Sequence, residues 1–240
     1  MTKLIIIAAG TGSRLMPYTK TTPKPLIKIK DNKSILELAL EEVKKSKVIS
    51  EVILVVGYLA EQIEAKVNEI GGIKIKTLYN PYFEVSGNLH SLWFSHHEMS
   101  GEDIMVTNAD NIIDASVFKR LSKCEGMTYV VCKNDKLQED DMKVLIEGDE
   151  VVNVSKDIKV NDGIMESVSL VKISKNKLKD FKDMLDKMVR NKEHFYDYWP
   201  TIFFELFRAG IHVRPMKIKT GQWAEIDYHG DMIDVILKKK

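Results

Sequence analysis

Gly10 and Gly12 close a short apolar run, Arg14 follows two positions later, and Lys24 stands between Pro23 and Pro25. These are the residue types of an oxyanion site. Glycine lets backbone N–H groups approach an anion closely. Arg14 offers a planar fork that matches phosphate oxygens, and Lys24 adds a compact point charge. Other phosphate loops fit worse. A dinucleotide fingerprint needs a third glycine where Leu15 stands, and a Walker A loop needs a Gly-Lys-Ser/Thr run that this chain lacks. The alternative is a tight strand-to-helix turn with no ligand.

Two separated aspartates could complete such a site. Asp110 belongs to Asn108-Ala109-Asp110-Asn111, directly after an apolar stretch, and Asp227 ends Trp223-Ala224-Glu225-Ile226-Asp227. In open α/β sheets, ligands sit beyond the carboxyl ends of the strands, so Asp110 is expected to face the same crevice as the glycine turn. Carboxylates beside phosphates suit Mg²⁺. The competing readings are a turn residue for Asp110 and a helix N-cap for Asp227. Asp114 reads as a cap. His96 and His97 are adjacent on a predicted helix, point to different faces and make a poor chelate.

The elements that must hold these residues are legible as well. Residues 4–9 are continuously apolar, as in a strand covered on both faces. Ser34 and Glu37 form a capping box that opens a helix with Ile35, Leu38, Ala39 and Val43 on its apolar face. Residues 52–56 read as a buried strand, 61–69 as a helix stopped by Gly71-Gly72, and 73–77 as a lysine-flanked edge strand. A helix is predicted over 88–98, and strands over 104–107 and 127–132. A hairpin is predicted around Gly148-Asp149, joining 143–146 to 151–154. Then come a strand over 166–173, helices over 175–190 and 198–208, strands over 213–218 and 223–226, a helix over 231–237 and a solvated Lys238-Lys239-Lys240 tail. This order predicts a doubly wound, mostly parallel, Rossmann-like α/β sheet with helices on both faces and a small antiparallel insertion. One domain is expected over 1–240, with about 1–135 binding nucleotide and about 136–240 completing an acceptor site.

Composition narrows the partners. The 240 residues are 44% hydrophobic and 30% charged, with a net charge of +1. That balance gives no overall attraction to nucleic acid or to a membrane surface. No apolar run approaches the roughly 20 residues of a membrane span, and the first apolar stretch is too short for a signal-peptide core. Cys124 and Cys132 match no zinc spacing and are expected as free thiols. A cytoplasmic location is therefore expected. No residue fixes the oligomeric state, and a homodimer is admitted.

The run Ile6-Ile7-Ala8-Ala9-Gly10-Thr11-Gly12-Ser13-Arg14-Leu15, followed by Thr22-Pro23-Lys24-Pro25-Leu26, resembles the signature of the nucleotidyltransferase family. Its members join a nucleoside triphosphate to a phosphorylated small molecule and release pyrophosphate. Asn108-Ala109-Asp110 resembles the family's metal-binding aspartate motif, and Trp223-Ala224-Glu225-Ile226-Asp227 resembles the motif carrying its second metal aspartate. Gly87-Asn88-Leu89-His90-Ser91-Leu92 departs from the Gly-Thr-Ala run of sugar-phosphate members. It is similar to the phosphocholine cytidylyltransferase branch, which includes relatives acting on aminoethylphosphonate and other small phosphorylated amines or alcohols. Tyr196-Asp197-Tyr198-Trp199 agrees with that branch, since aromatic faces attract quaternary ammonium. Core or lid packing is the alternative there.

The resemblance implies a division of labour. The Gly10, Thr11 and Gly12 amides would hold the triphosphate, and Arg14 would grip the leaving pyrophosphate. Lys24 would follow the α-phosphate into the transition state, and Asp110 and Asp227 would hold Mg²⁺. Ala8, Ala9, Asn88 and Ser91 would meet the nucleotide. Glu166, Tyr198 and Trp199 would meet the acceptor, although Glu166 reads equally well as an ordinary polar strand residue. The implied reaction transfers CMP from CTP to a small phosphorylated acceptor such as phosphocholine, aminoethylphosphonate or glutamine phosphate. The product would be a precursor for a surface polysaccharide or lipid. A hexose-1-phosphate uridylyl- or thymidylyltransferase and a non-catalytic nucleotide sensor are the other readings.

Overall fold

The computed structural model describes residues 2–134, 136–161, 163–227 and Gly230. Strand β1 (Thr2–Ala8) leads into a loop of short turns and the ribbon β2 (Lys28–Lys30) and β3 (Lys33–Ser34). Helix α1 (Ile35–Ser46), β4 (Ile49–Val56), α2 (Ala60–Glu69), β5 (Lys74–Tyr79) and α3 (Asn88–Phe94) follow. The middle of the chain gives β6 (Asp103–Asn108), β7 (Asn111–Ile113), α4 (Ala115–Leu121), β8 (Met127–Cys132), β9 (Lys143–Glu147) and β10 (Glu150–Ser155). The remainder gives β11 (Met165–Ile173), α5 (Leu178–Val189), α6 (Ile202–Arg208), β12 (Val213–Ile218) and β13 (Trp223–Glu225).

One sheet of nine strands runs β10-β9-β11-β6-β1-β4-β5, with β8 on β11 and β12 on β8. The pairings of β1 with β4 and β6, of β4 with β5 and of β8 with β12 are parallel. Strand β11 is antiparallel to β6, β8 and β9, and β10 is antiparallel to β9, so β10 and β11 run against the rest. The doubly wound, mostly parallel sheet stands as expected, and β5 is its lysine-flanked edge.

Strand periodicity of two explains the uninterrupted apolar run in β1. Ile5 and Ile7 pack with Leu89, Phe181 and Phe203, on the face covered by α3, α5 and α6. Leu4, Ile6 and Ala8 pack with Leu40, Ile63 and Phe118, on the face covered by α1, α2 and α4. The capping box at Ser34 and Glu37 is formed, and Asp114 caps α4 through the N–H of Ser116.

Two helices are shorter than their sequence pattern suggests. The predicted 88–98 helix stops at Phe94, because both the hydroxyl and the N–H of Ser95 turn back onto the Leu92 carbonyl. The predicted 198–208 helix is divided by Pro200 into a tight turn, Trp199–Thr201, and α6. The expected 231–237 helix and the lysine tail lie outside the described residues. No described helix is long and apolar enough to cross a membrane.

Candidate active site

The carboxyl ends of β1 and β6 open into one crevice, and the glycine turn lies across it. Gly12 has φ 63, and a Cβ there would lie 2.9 Å from the Lys24 Cβ and 3.0 Å from the Thr19 methyl. Only glycine permits that approach. Thr19 donates its hydroxyl to the Gly12 carbonyl at 2.9 Å, fixing the turn. Among the described residues, no hydrogen bond uses the N–H groups of Gly10, Thr11 or Gly12. They remain available to an anion. Ala9 lies behind this rim, buried, with its carbonyl taken by the Tyr58 N–H at 3.0 Å.

The two aspartates are brought together by a small ribbon. Strand β7 begins directly after Asp110, and β13 ends two residues before Asp227. Their antiparallel register sets Glu225 opposite Asn111. The Ile226 N–H then donates to the Asp110 carbonyl at 3.1 Å. The Ile226 side chain is buried with Leu15, Ile27, Ile29 and Ile35, which clamps the end of β13 to the loop carrying Arg14 and Lys24.

Lys24 sits at the junction. Its ammonium donates to Asp110 Oδ2 at 2.7 Å and to Asp227 Oδ1 at 2.6 Å, and Arg14 pairs with the other Asp227 oxygen. Burial alone would lower the Lys24 pKa. The two carboxylates outweigh it, and the pKa lies above the usual lysine value. Lys24 is therefore a fixed cation. Glu225 is the third carboxylate here. Burial first, then Asp110 and Asp227, hold its pKa well above the usual carboxylic range.

Oxygens of Asp110, Glu225 and Asp227 all lie within 4.8 Å of one another. Asp110 Oδ1 is buried and accepts no hydrogen bond from any described residue. A buried carboxylate oxygen left in that state is costly unless a cation or donor meets it. This donor set is hard and all-oxygen, which fits a divalent cation such as Mg²⁺.

Two clefts meet at this cluster. One, about 170 Å³, is lined by Ala8, Gly10, Gly12, Lys24 and Pro25. The other, about 150 Å³, is lined by Arg14, Glu166, Tyr198, Glu225 and Asp227, with Asp140, Asp141 and Lys156. Asn88, Asn108 and Asp110 belong to both walls. Glu166 is half-buried on β11. Burial, then the Asp141 carboxylate, push its pKa up to about 7. The loop bearing Asp140 and Asp141 is pinned by the buried Lys143 ammonium, which donates to the Glu139 carbonyl at 2.6 Å and to the Asp141 carbonyl at 3.0 Å.

The 195–199 turn docks on the start of α3. Gly87 donates its N–H to the Phe195 carbonyl, Leu89 donates to the Asp197 carbonyl, and Asn88 Oδ1 accepts the Trp199 N–H at 2.7 Å. A Cβ on Gly87 would fall 2.2 Å from the Asp197 oxygen, so this docking requires glycine. It leaves Tyr198 45% exposed on the cleft and Trp199 fully buried.

Two expected contacts therefore shift. Trp199 presents no surface to an acceptor, because its ring packs on Phe203 and its Nε1 donates to Asn108 Oδ1 at 2.8 Å. Ser91 is also buried, accepting from Asn80 Nδ2 at 3.0 Å, and lies behind both walls. Glu225 was not anticipated. It stands two residues before Asp227 on one strand, and period-two alternation would have indicated a shared face. Lys156, Asp140 and Asp141 carried no such signal, since they lie in chain segments with no motif.

Comparisons with known proteins follow the same lines. A family model described as nucleotidyl transferase matches residues 3–136. The choline-phosphate cytidylyltransferase of Streptococcus pneumoniae is 33% identical over 117 residues. That match spans only about half of each protein, 49% of this chain and 48% of the pneumococcal one. The CTP:phosphoglutamine cytidylyltransferase of Campylobacter jejuni is 26% identical across 95% of this chain and 96% of its own length. Among solved structures, the CTP:phosphocholine cytidylyltransferase of Streptococcus pneumoniae superposes with a TM-score of 0.78 at 24% identity, covering 98% of this chain and 97% of that one. The inositol-1-phosphate CTP transferase of T. maritima gives a TM-score of 0.80 at 20% identity, covering 96% and 91%.

Proposed function

The chain belongs to the nucleotidyl transferase family, and we propose that it transfers CMP from CTP to a small phosphorylated amine or alcohol in a Mg²⁺-dependent reaction. The observation that carries this reading is the meeting of two clefts at Asp110, with Lys24 between Asp110 and Asp227. One cleft, rimmed by Gly10 and Gly12, suits the nucleoside triphosphate. The other, formed largely by residues beyond 136, suits the acceptor. The names of the pneumococcal and Campylobacter relatives support cytidine and a small phosphorylated acceptor.

The acceptor's phosphate is anionic at neutral pH, so no general base is needed. Its oxygen forms a bond to the α-phosphorus, and the bond to the β-phosphate bridging oxygen breaks in line, releasing pyrophosphate. Catalysis then rests on positioning and charge neutralisation. The free N–H groups of the glycine turn hold phosphate oxygens. Arg14 turns from Asp227 to the departing pyrophosphate. Lys24 exchanges its carboxylate partners for the α-phosphate, where charge accumulates. Asp110, Asp227 and Glu225 would hold Mg²⁺, which would supply charge neutralisation to the phosphates.

Pyrophosphate release, measured for each common nucleoside triphosphate against phosphocholine, aminoethylphosphonate, phosphorylated amino acids and hexose-1-phosphates, tests the reading. Turnover is expected with CTP and a phosphorylated amine or amino acid. Turnover confined to UTP or dTTP with a hexose-1-phosphate would overturn it. Nucleotide binding without release from any pair would identify a sensor instead.

A further inference from the structure

Strand β11 departs from regular pairing where it passes the acceptor-side cleft. Ser167 pairs with Val131 of β8, and the next registered pair is Val171 with Tyr129, so residues 168–170 stand against Val130 alone. Bulges of this kind re-aim side chains beside functional sites. At the centre of this one, Ser169 has φ 49, in the left-handed region. Asp31, Asn32, Lys47 and Leu59 share that conformation, but Asp31 and Asn32 lie in the turn between β2 and β3, and Lys47 and Leu59 stand at helix ends. Among the described residues other than glycine, Ser169 is the one that adopts it inside a strand. A Cβ is disfavoured there, and glycine takes up the same backbone without that penalty.

What the side chain brings is a hydroxyl. Ser169 is 6% exposed and lines the acceptor-side cleft beside Asn108, Asp110 and Glu225. Buried hydrogen bonds fix the shape of the bulge. The hydroxyls of Tyr129 and Ser167 share one at 2.7 Å, Ser167 Oγ accepts the Ser169 N–H at 3.0 Å, and the Asn111 amide donates to the Val168 carbonyl at 3.2 Å. The contact between the Ser167 and Ser169 hydroxyls, at 3.3 Å, is the longest of the set. The Ser169 hydroxyl therefore gives up least in turning to a ligand, and it can both donate and accept. A disfavoured backbone held by its surroundings at a cleft wall is a mark of function rather than of folding.

We propose that Ser169 is a specificity-determining residue of the acceptor-side cleft: the β11 bulge holds a disfavoured backbone conformation in order to present the Ser169 hydroxyl, which hydrogen-bonds an oxygen of the phosphorylated acceptor. The inference rests on the acceptor assignment above and adds a residue that reads the acceptor's oxygens. A phosphorus-bound oxygen and a carboxylate oxygen share this chemistry.

Two variants separate the hydroxyl from the backbone that carries it. Ser169→Ala keeps the Cβ and removes the hydroxyl. Ser169→Gly removes the hydroxyl and the conformational penalty together. Steady-state kinetics at saturating CTP are measured with phosphocholine and aminoethylphosphonate, whose oxygens are all bound to phosphorus, and with O-phosphoserine, which adds a carboxylate. Both variants are expected to raise the acceptor KM about 3- to 10-fold, the scale of one neutral hydrogen bond, and to leave the KM for CTP unchanged. In thermal unfolding they part: Ser169→Gly should melt above Ser169→Ala. A serine kept only for folding would not give a variant that melts well and binds acceptor poorly. A rise with every acceptor assigns the phosphorus-bound oxygens, and a rise with O-phosphoserine alone assigns the carboxylate; either supports the proposal. An acceptor KM unchanged in Ser169→Ala, a rise confined to Ser169→Gly, or equal rises in the KM for acceptor and CTP would overturn it. Should Ser169→Ala not fold, Ser169→Gly decides: a raised acceptor KM with undiminished Tm supports the proposal, and an unchanged KM refutes it. Wild-type protein that turns over no acceptor would remove the transferase reading, and this inference with it. Wild-type turnover beside indifferent Ser169 variants would remove only the role of the serine.

Discussion

The Trp199 indole N–H donates to Asn108 Oδ1 at 2.8 Å, across a separation of 91 positions. Asn108 ends β6, two residues before Asp110, and Trp199 follows the cleft residue Tyr198. One hydrogen bond thus ties the 195–199 turn to the end of β6, two residues before a cluster carboxylate. Trp199→Phe keeps most of the packing and removes the donor to the half-buried Asn108 Oδ1, which the cleft leaves open to water. The expected cost is about 0.5–1.5 kcal/mol of stability, read as a lower midpoint in denaturant titration. The acceptor KM should rise while the KM for CTP holds. Equal increases in both KM values would argue against this coupling.

Lys24→Ala should reduce kcat by on the order of 10²–10³, the scale for loss of one electrostatic contact to a transition state. The variant should still fold, since the ammonium lies at a cleft wall rather than in the apolar core. Turnover like that of the wild type would take Lys24 out of the mechanism.

Asp110→Asn retains shape and removes charge. Mg²⁺-dependent pyrophosphate release should disappear, and calorimetric Mg²⁺ binding in the presence of nucleotide should weaken by at least about tenfold, a difference of ~1.4 kcal/mol. Retained activity would assign the metal to other residues.

Glu166 gives the protein a pH signature. Burial and Asp141 raise its pKa from 4.5 to about 7. Between those values the folded state holds a proton that the unfolded chain has released. Stability therefore falls as pH rises across that window and levels off above about 7. Glu166→Gln removes this slope, so its advantage in Tm over the wild type should be small near pH 5 and larger near pH 8. A difference in Tm independent of pH would refute the shift.

Much of this was legible in residue order. The meeting of Lys24, Asp110 and Asp227 was expected from the family resemblance, whereas the all-apolar run of β1, the Ser34 capping box and the edge lysines of β5 follow local rules. Three features do not. The Phe94 helix end depends on one hydroxyl, Ser95, choosing a carbonyl. The burial of Trp199 depends on Gly87, more than a hundred positions away, admitting a backbone at contact distance. The Lys156–Tyr198 contact joins a strand end to a docked turn. Each is set by tertiary approach, which no window along the sequence contains.

The pairs that define the site span the chain: Lys24 and Asp110 lie 86 positions apart, Lys24 and Asp227 203, and Arg14 and Asp227 213. A chain emerging from the ribosome presents Arg14, Lys24 and Asp110 long before Asp227 exists. Until Ile226 reaches its seat beside Leu15 and Ile27, Asp227, which pairs with Arg14 and is one of the two carboxylates on Lys24, is out of place. The carboxylate cluster is thus assembled only once the ribbon of β7 and β13 has docked.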